Sequence, residues 1–210
     1  MYDTILNGAI ETLIMVFGST ILSVIIGFLP AIMLTLSASD GLRPNAWVYR
    51  ILDYIVNILR SFPFIILMVI VIPFTRLVAG KAIGTTAAIV PLTISAIPFV
   101  ARVLETAMRQ VDKGLIEAAK SFGASDLQII RRVYIKEALP GIISGITLTM
   151  VSLIGYSAMG GAIGAGGLGD VAIRYGYQAY QVSYLVVTSI VLIVFVQLIQ
   201  GIGNFIYRKL

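Results

Sequence analysis

Any chemistry in this sequence is done without imidazole or thiol. The 210 residues contain no His and no Cys, which excludes disulfides, thiolate metal sites, imidazole bases and cysteine nucleophiles. A serine with a lysine could serve as nucleophile and base, yet no such pair stands together within an apolar stretch. The glycine-rich run Gly155 to Asp170, "GYSAMGGAIGAGGLGD", invites a phosphate-loop reading but lacks the Gly-Lys-Ser/Thr ending that such a loop needs. The Gly80-Lys81 pair is followed by Ala82. No nucleotide site is visible, and no cofactor or metal is expected in this chain.

Two constellations remain. Tyr156, Ser157 and Met159 lie at the head of the glycine run, where a helix should loosen, since each glycine costs about 1 kcal/mol against alanine. Met adapts to varied neighbours, which suits either a gate or an ordinary core gap-filler, and the glycines suit either close helix packing or an outer loop. The second constellation is Glu117, Ala118 and Ala119, followed by Gly123 and Ala124. One carboxylate beside small residues and a glycine makes a smooth, shallow knob, the kind of shape that enters a groove on another protein.

The elements that carry these residues belong to a membrane protein. Hydrophobic residues make up 59% and charged residues 12%, with mean hydropathy +0.99, whereas soluble domains carry roughly a quarter charged residues. The net charge of +5 reads as loop Lys and Arg rather than as a nucleic-acid surface. The start, "MYDTILNGAIETL", has neither a basic region nor a small-residue cleavage pattern and does not read as a signal peptide. The length suits a single transmembrane domain, 1–210, all α-helical because backbone groups in lipid must be satisfied internally.

Five charge-free windows mark the expected spans: Thr12 to Ser39, Ser61 to Thr75 (extending back through Tyr54), Ala82 to Ala101, Ala138 to Gly169 and Tyr175 to Tyr207. The basic segments, Asp40 to Arg60, Arg109 to Glu137 and the tail with Arg208 and Lys209, fall on one side if the N-terminus is outside and the C-terminus is cytoplasmic. Pro63 and Pro73 in the second span, and Pro91 and Pro98 in the third, predict kinks that face protein. Tyr175, Tyr177, Tyr180 and Tyr184 read as an interfacial belt. Arg50, Asp53, Asn57 and Arg60 share one helix face, and Arg102, Glu105 and Arg109 repeat the pattern as structural bracing.

The inner segment, about 110–138, reads as two short helices. Leu115 to Phe122 form the first, and Gly123 ends it in a left-handed conformation. Ser125 with Gln128 forms a capping box for the second. Leu127, Ile130, Val133 and Tyr134 would line one face of that helix, with Arg131, Arg132 and Lys136 mostly elsewhere. Pro140 can open the next span from its first turn.

Glu117-Ala118-Ala119, three residues, then Gly123-Ala124 resembles the EAA motif of bacterial ABC importer permeases. In that family the motif is the coupling helix that docks into a cytoplasmic ATPase. The family's later proline is replaced here by Lys136, with Leu139-Pro140 following, a departure that bears on the exit of the second helix. "NILRSFPFIILMVIVIPFTR", "AAIVPLTISAIPFVAR" and "LIGYSAMGGAIGAGGLGD" are similar to the permease subunits of methionine ABC importers, over nearly the whole chain. The resemblance implies a five-span type I importer permease in the bacterial inner membrane. It further implies a homodimer, two ATPase subunits that bind ATP-Mg, and an extracytoplasmic substrate-binding lipoprotein. Tyr156, Ser157 and Met159 would then line or seal the path at the dimer axis, and transport would proceed by alternating access. The competing reading is a stand-alone ion-coupled carrier or channel. It would need ionisable residues inside the spans, and only Asp53 and Glu105, near span ends, keep it open.

Overall fold

The computed structural model describes residues 1–210 and is helical throughout. Helix α1 runs Tyr2–Ser37. At 1.5 Å per residue it is about 54 Å long, well beyond the roughly 30 Å apolar core of a bilayer. It lies along α5, Thr85–Arg109, and small residues let the two approach: a Cβ on Gly27 would meet the Ile97 carbonyl oxygen at 3.0 Å. The other long helices are α9, Leu139–Gly161, and α11, Val182–Tyr207. Inside these spans no water satisfies a hydroxyl, so most of the buried ones donate back along their own helix, while Ser19 reaches across to the Ile89 carbonyl of α5 at 3.5 Å. Thr20 bonds the Val16 carbonyl at 2.7 Å, Thr93 that of Ile89 at 2.7 Å and Thr188 that of Tyr184 at 2.6 Å.

The second span departs from expectation. Four helices are long and apolar enough to cross a membrane by themselves, and a fifth crossing exists only as a bent pair. Helix α2, Ala46–Arg60, meets α3, Phe64–Ile70, at 98°. Helix α4, Ile72–Ala79, follows and ends at Gly80 with φ +73°. The prolines start helices here instead of kinking one. Pro63 is the N-cap of α3, and Pro73 stands in the first turn of α4, where its missing N–H is not needed. In α5 the helix continues through Pro91 and Pro98, both buried against protein as expected.

The fourth window is likewise shorter than its charge-free stretch. Helix α9 ends at Gly161, close to the expected failure at Gly160. The chain turns through Gly164 and Gly166, both at positive φ, into α10, Gly167–Val171, and a π-helical stretch, Ala172–Gln178. Side chains of α1 cap this turn. The Glu11 carboxylate accepts from the Gly167 amide at 2.7 Å, and the Thr12 hydroxyl from Leu168 at 2.9 Å. Of the expected tyrosine belt, Tyr177 and Tyr180 are exposed, whereas Tyr184 is buried and stacked on Tyr175 with centroids 5.0 Å apart.

Candidate functional site

The inner segment begins where α5 stops. The Asp112 carboxylate accepts from the Gly114 amide at 2.7 Å and caps α6, Lys113–Ser121. The helix closes at Gly123, φ +75°, with the Ala124 amide bonded back to the Ala119 carbonyl at 3.1 Å. Left-handed backbone of this kind is glycine's own territory. The Ser125 hydroxyl then accepts from the Gln128 amide, while the Ser125 amide donates to the Gln128 side chain at 2.8 Å. This capping box opens α7, Asp126–Ile129, as expected.

The next turn departs from a regular α-period: of the expected face Tyr134 is buried, Ile130 and Val133 are half-buried, and Leu127 is exposed. Ile130–Tyr134 is π-helical and is followed by the short α8, Ile135–Glu137. The wider turn brings Ile129 and Tyr134, five residues apart, to one side. Those two are buried and Leu127 points outward. They join Ala31, Leu104, Met108, Ile116 and Ile142 in one apolar cluster, which fastens the segment to α1, α5 and α9. Pro140 sits in the first turn of α9, and Lys136 is exposed.

Glu117 and Ala118 are exposed on α6, Ala119 and Ala124 are half-buried, and open space surrounds Gly123. Between them stands Phe122, 91% exposed, which the sequence reading did not single out. An aromatic residue directly before the helix-ending glycine was the available signal. The outward surface thus has a carboxylate, small residues and one projecting ring.

Charged side chains tie this segment to the membrane helices. Asp40 accepts from Arg109 at 3.1 Å and lies 3.3 Å from Lys113, and Arg43 pairs with Asp126. Burial opposes ionisation of Asp40, but the Lys113 hydrogen bond and the Arg109 charge outweigh it and hold the carboxyl below its ordinary range. Burial, with the Asp40 charge second, pushes the Tyr134 phenol up. Beyond Arg109 lies Glu105, 1% exposed. It accepts from Arg102 at 2.8 Å and from the Tyr49 hydroxyl at 3.1 Å, with Arg109 at 3.7 Å. Arg102 also reaches Asp53 and Asn57. The expected bracing is present, and it runs between α2 and α5 as well as along α5.

The three candidate gate residues share a helix but not an environment. Tyr156 stacks on Phe64 of α3, centroids 4.8 Å apart. Ser157 is buried and its hydroxyl donates to the Ile154 carbonyl at 2.8 Å. Met159 is 48% exposed on the same open side of α9 as Gly155.

Residues 24–210 match the family described as the inner membrane component of binding-protein-dependent transport systems. The probable D-methionine transport system permease protein MetI of Vibrio cholerae serotype O1 is 50% identical over 207 residues, covering 99% of this chain and 92% of its own. The D-methionine transport system permease protein MetI of Escherichia coli K12 is 47% identical over 157 residues, 75% of this chain and 72% of its own. Among solved structures, a chain of the inward-facing MetNI methionine ABC transporter superposes with TM-score 0.97 at 45% identity, over 100% of this chain and 97% of that one. A chain of an amino acid ABC transporter, 20% identical, shares the fold with TM-score 0.80.

Proposed function

The chain belongs to the family of binding-protein-dependent transport system inner membrane components, and from that membership we propose that it is the membrane-spanning subunit of an ATP-driven importer of methionine and closely related amino acids. Its MetI relatives carry that substrate in their names, and the MetNI superposition extends over the whole chain. In this reading the chain is a multi-pass inner-membrane protein and catalyses no reaction. Two copies pair, two separate ATPase subunits bind ATP-Mg, and an extracytoplasmic lipoprotein delivers the substrate. The N-terminus is outside and the C-terminus cytoplasmic, consistent with the basic segments gathering at the end that carries α6.

The observation that carries the reading is the knob formed by α6, Gly123 and α7. Its outer face, Glu117, Ala118 and Phe122, is free of partners in the chain, while its inner face is locked to α1, α5 and α9. Such an element can transmit a push. Glu117, Ala118, Ala119, Gly123 and Ala124 would ride in the ATPase cleft as the ATPases close, and Met159, with Tyr156 and Ser157 behind it, would gate the path as the helices rock. A stand-alone ion-coupled carrier would need a free ionisable group in a span. Glu105 is buried there, but Arg102, Tyr49 and Arg109 already engage it.

The test is purification of the chain, tagged at Leu210, from its native membrane in mild detergent. An ATPase should accompany it, and Glu117→Arg should abolish that association. A wild-type chain that comes out alone would overturn the coupling role.

A further inference from the structure

One buried threonine breaks the rule that the others follow. Thr12, Thr20, Thr35, Thr93, Thr149 and Thr188 each donate to a backbone carbonyl of their own helix. Thr75 on α4 is 2% exposed, and its hydroxyl has no partner. Buried polar atoms are normally satisfied, and each exception calls for a reason.

Thr75 lines a cavity of about 150 Å³ between α3–α4 and α5. The walls are otherwise nearly all apolar, with Met68 and Ile72 from α3 and α4, Ala87 and Pro91 from α5, and Ile163 from the turn after α9. The volume is several times the roughly 30 Å³ of one water, so a single water leaves most of it empty. It has the size of one amino-acid side chain. Ile163 follows Met159 by four residues, and a Cβ on Gly160 would stand 3.4 Å from the Met68 methyl. The cavity therefore adjoins the end of α9 that carries the candidate gate.

We propose that this cavity is a transient subsite for the apolar, unbranched side chain of the amino acid in transit. Its α-amino and carboxylate groups stay in the open path beside Met159. The apolar walls take the aliphatic stem, and the Thr75 hydroxyl, closed off from the cavity in this structure, turns into it to donate to a weak acceptor on that stem, as a thioether sulfur is. The cavity contains no charged side chain, so it discriminates by length and by that one acceptor. This inference rests on the reading of the chain as an amino-acid importer subunit.

The experiment uses the intact complex, with its ATPase and binding protein, in liposomes. A methionine analogue bearing a diazirine in its side chain is photolysed during turnover, and the adducts are mapped by mass spectrometry. We expect label on the α3–α4 segment and on the first half of α5. Ala87→Leu, which fills the cavity, should lower that label about tenfold, the discrimination that a methylene commands in an apolar pocket. Thr75→Val keeps the shape and should lower methionine uptake severalfold, with complex yield and ATP hydrolysis unchanged. Uptake without label at these helices would overturn the subsite, as would label that persists in Ala87→Leu or full uptake in Thr75→Val. A wild-type complex that moves no methionine would instead overturn the importer reading beneath it.

Discussion

At one end of the bundle, Asp40, Tyr49, Arg102, Glu105 and Arg109 join α2, α5 and the α1–α2 loop through side-chain ion pairs and hydrogen bonds. At the other end, α9 and α10 meet backbone to backbone. A Cβ on Gly161 would collide with the Asp170 amide, and one on Gly169 with the Ala158 carbonyl. The first end is held by long side chains that can shift and re-pair. The second has no slack. Under the proposed coupling at α6 and gating near Met159, this asymmetry would supply an adjustable joint at the driven end and a rigid corner beside the gate.

The largest expected effect falls on the rigid corner. Gly161→Leu puts a side chain where backbone already stands, and α10 cannot yield without losing the Glu11 and Thr12 caps on it. Overpacking of this kind costs about 3 kcal/mol. The variant should be recovered poorly, and its thermal melting in detergent should show the loss. Unchanged melting would mean that the corner is looser than the contacts indicate.

The charged end should fail more gently. Glu105→Ala leaves Arg102 and Arg109 without their shared carboxylate. Removing one partner of a buried pair costs about 3–5 kcal/mol, and the partial exposure of both arginines places this case at about 2–3 kcal/mol. Glu105→Gln keeps acceptor geometry for Tyr49 and one arginine and should cost less. If the two substitutions melt alike, charge is not what holds the joint.

The contrast between the ends also explains what was legible in the sequence. Gly123, the Ser125–Gln128 box, Pro140 and the helix end near Gly160 are local events, decided by a residue and its neighbours within one turn, and all stand where they were expected. The bent second crossing was not legible, because a charge-free window reports hydropathy and not direction. The face expected on the inner helix holds for Tyr134, which is buried, and for Ile130 and Val133, half-buried against the same cluster; Leu127 is exposed and Ile129 takes the inward place, because the π turn that follows departs from the α-period. Thr75 resembles every other threonine in the chain until α3, α4 and α5 are assembled around it.

Gly123→Asp separates stability from function. Open space surrounds Gly123, so the substitution meets no clash, and the strain of a non-glycine residue at φ +75° is about 1 kcal/mol. The complex should persist in detergent. The added charge beside Glu117 and the strained bend should still uncouple the ATPase, so that hydrolysis continues while uptake falls. Wild-type uptake in this variant would sink the coupling-helix assignment.

The smallest effect is a pH dependence at the adjustable joint. Asp40 is held below its ordinary pKa of 3.8, so the folded state favours the ionised carboxylate. Its contribution is therefore fully present above the ordinary value and is lost as pH falls through the lowered one. Asp40→Asn removes that contribution at every pH. Hydrogen exchange over residues 110–137 should be faster in Asp40→Asn than in the parent chain at neutral pH. As the carboxylate of the parent is protonated, the two should converge. The side chain is about a third exposed, so solvent and salt weaken the pair, and the difference at neutral pH should shrink as salt is added. A difference that persists in acid would mean that Asp40 holds the loop by its hydrogen-bond geometry and not by its charge.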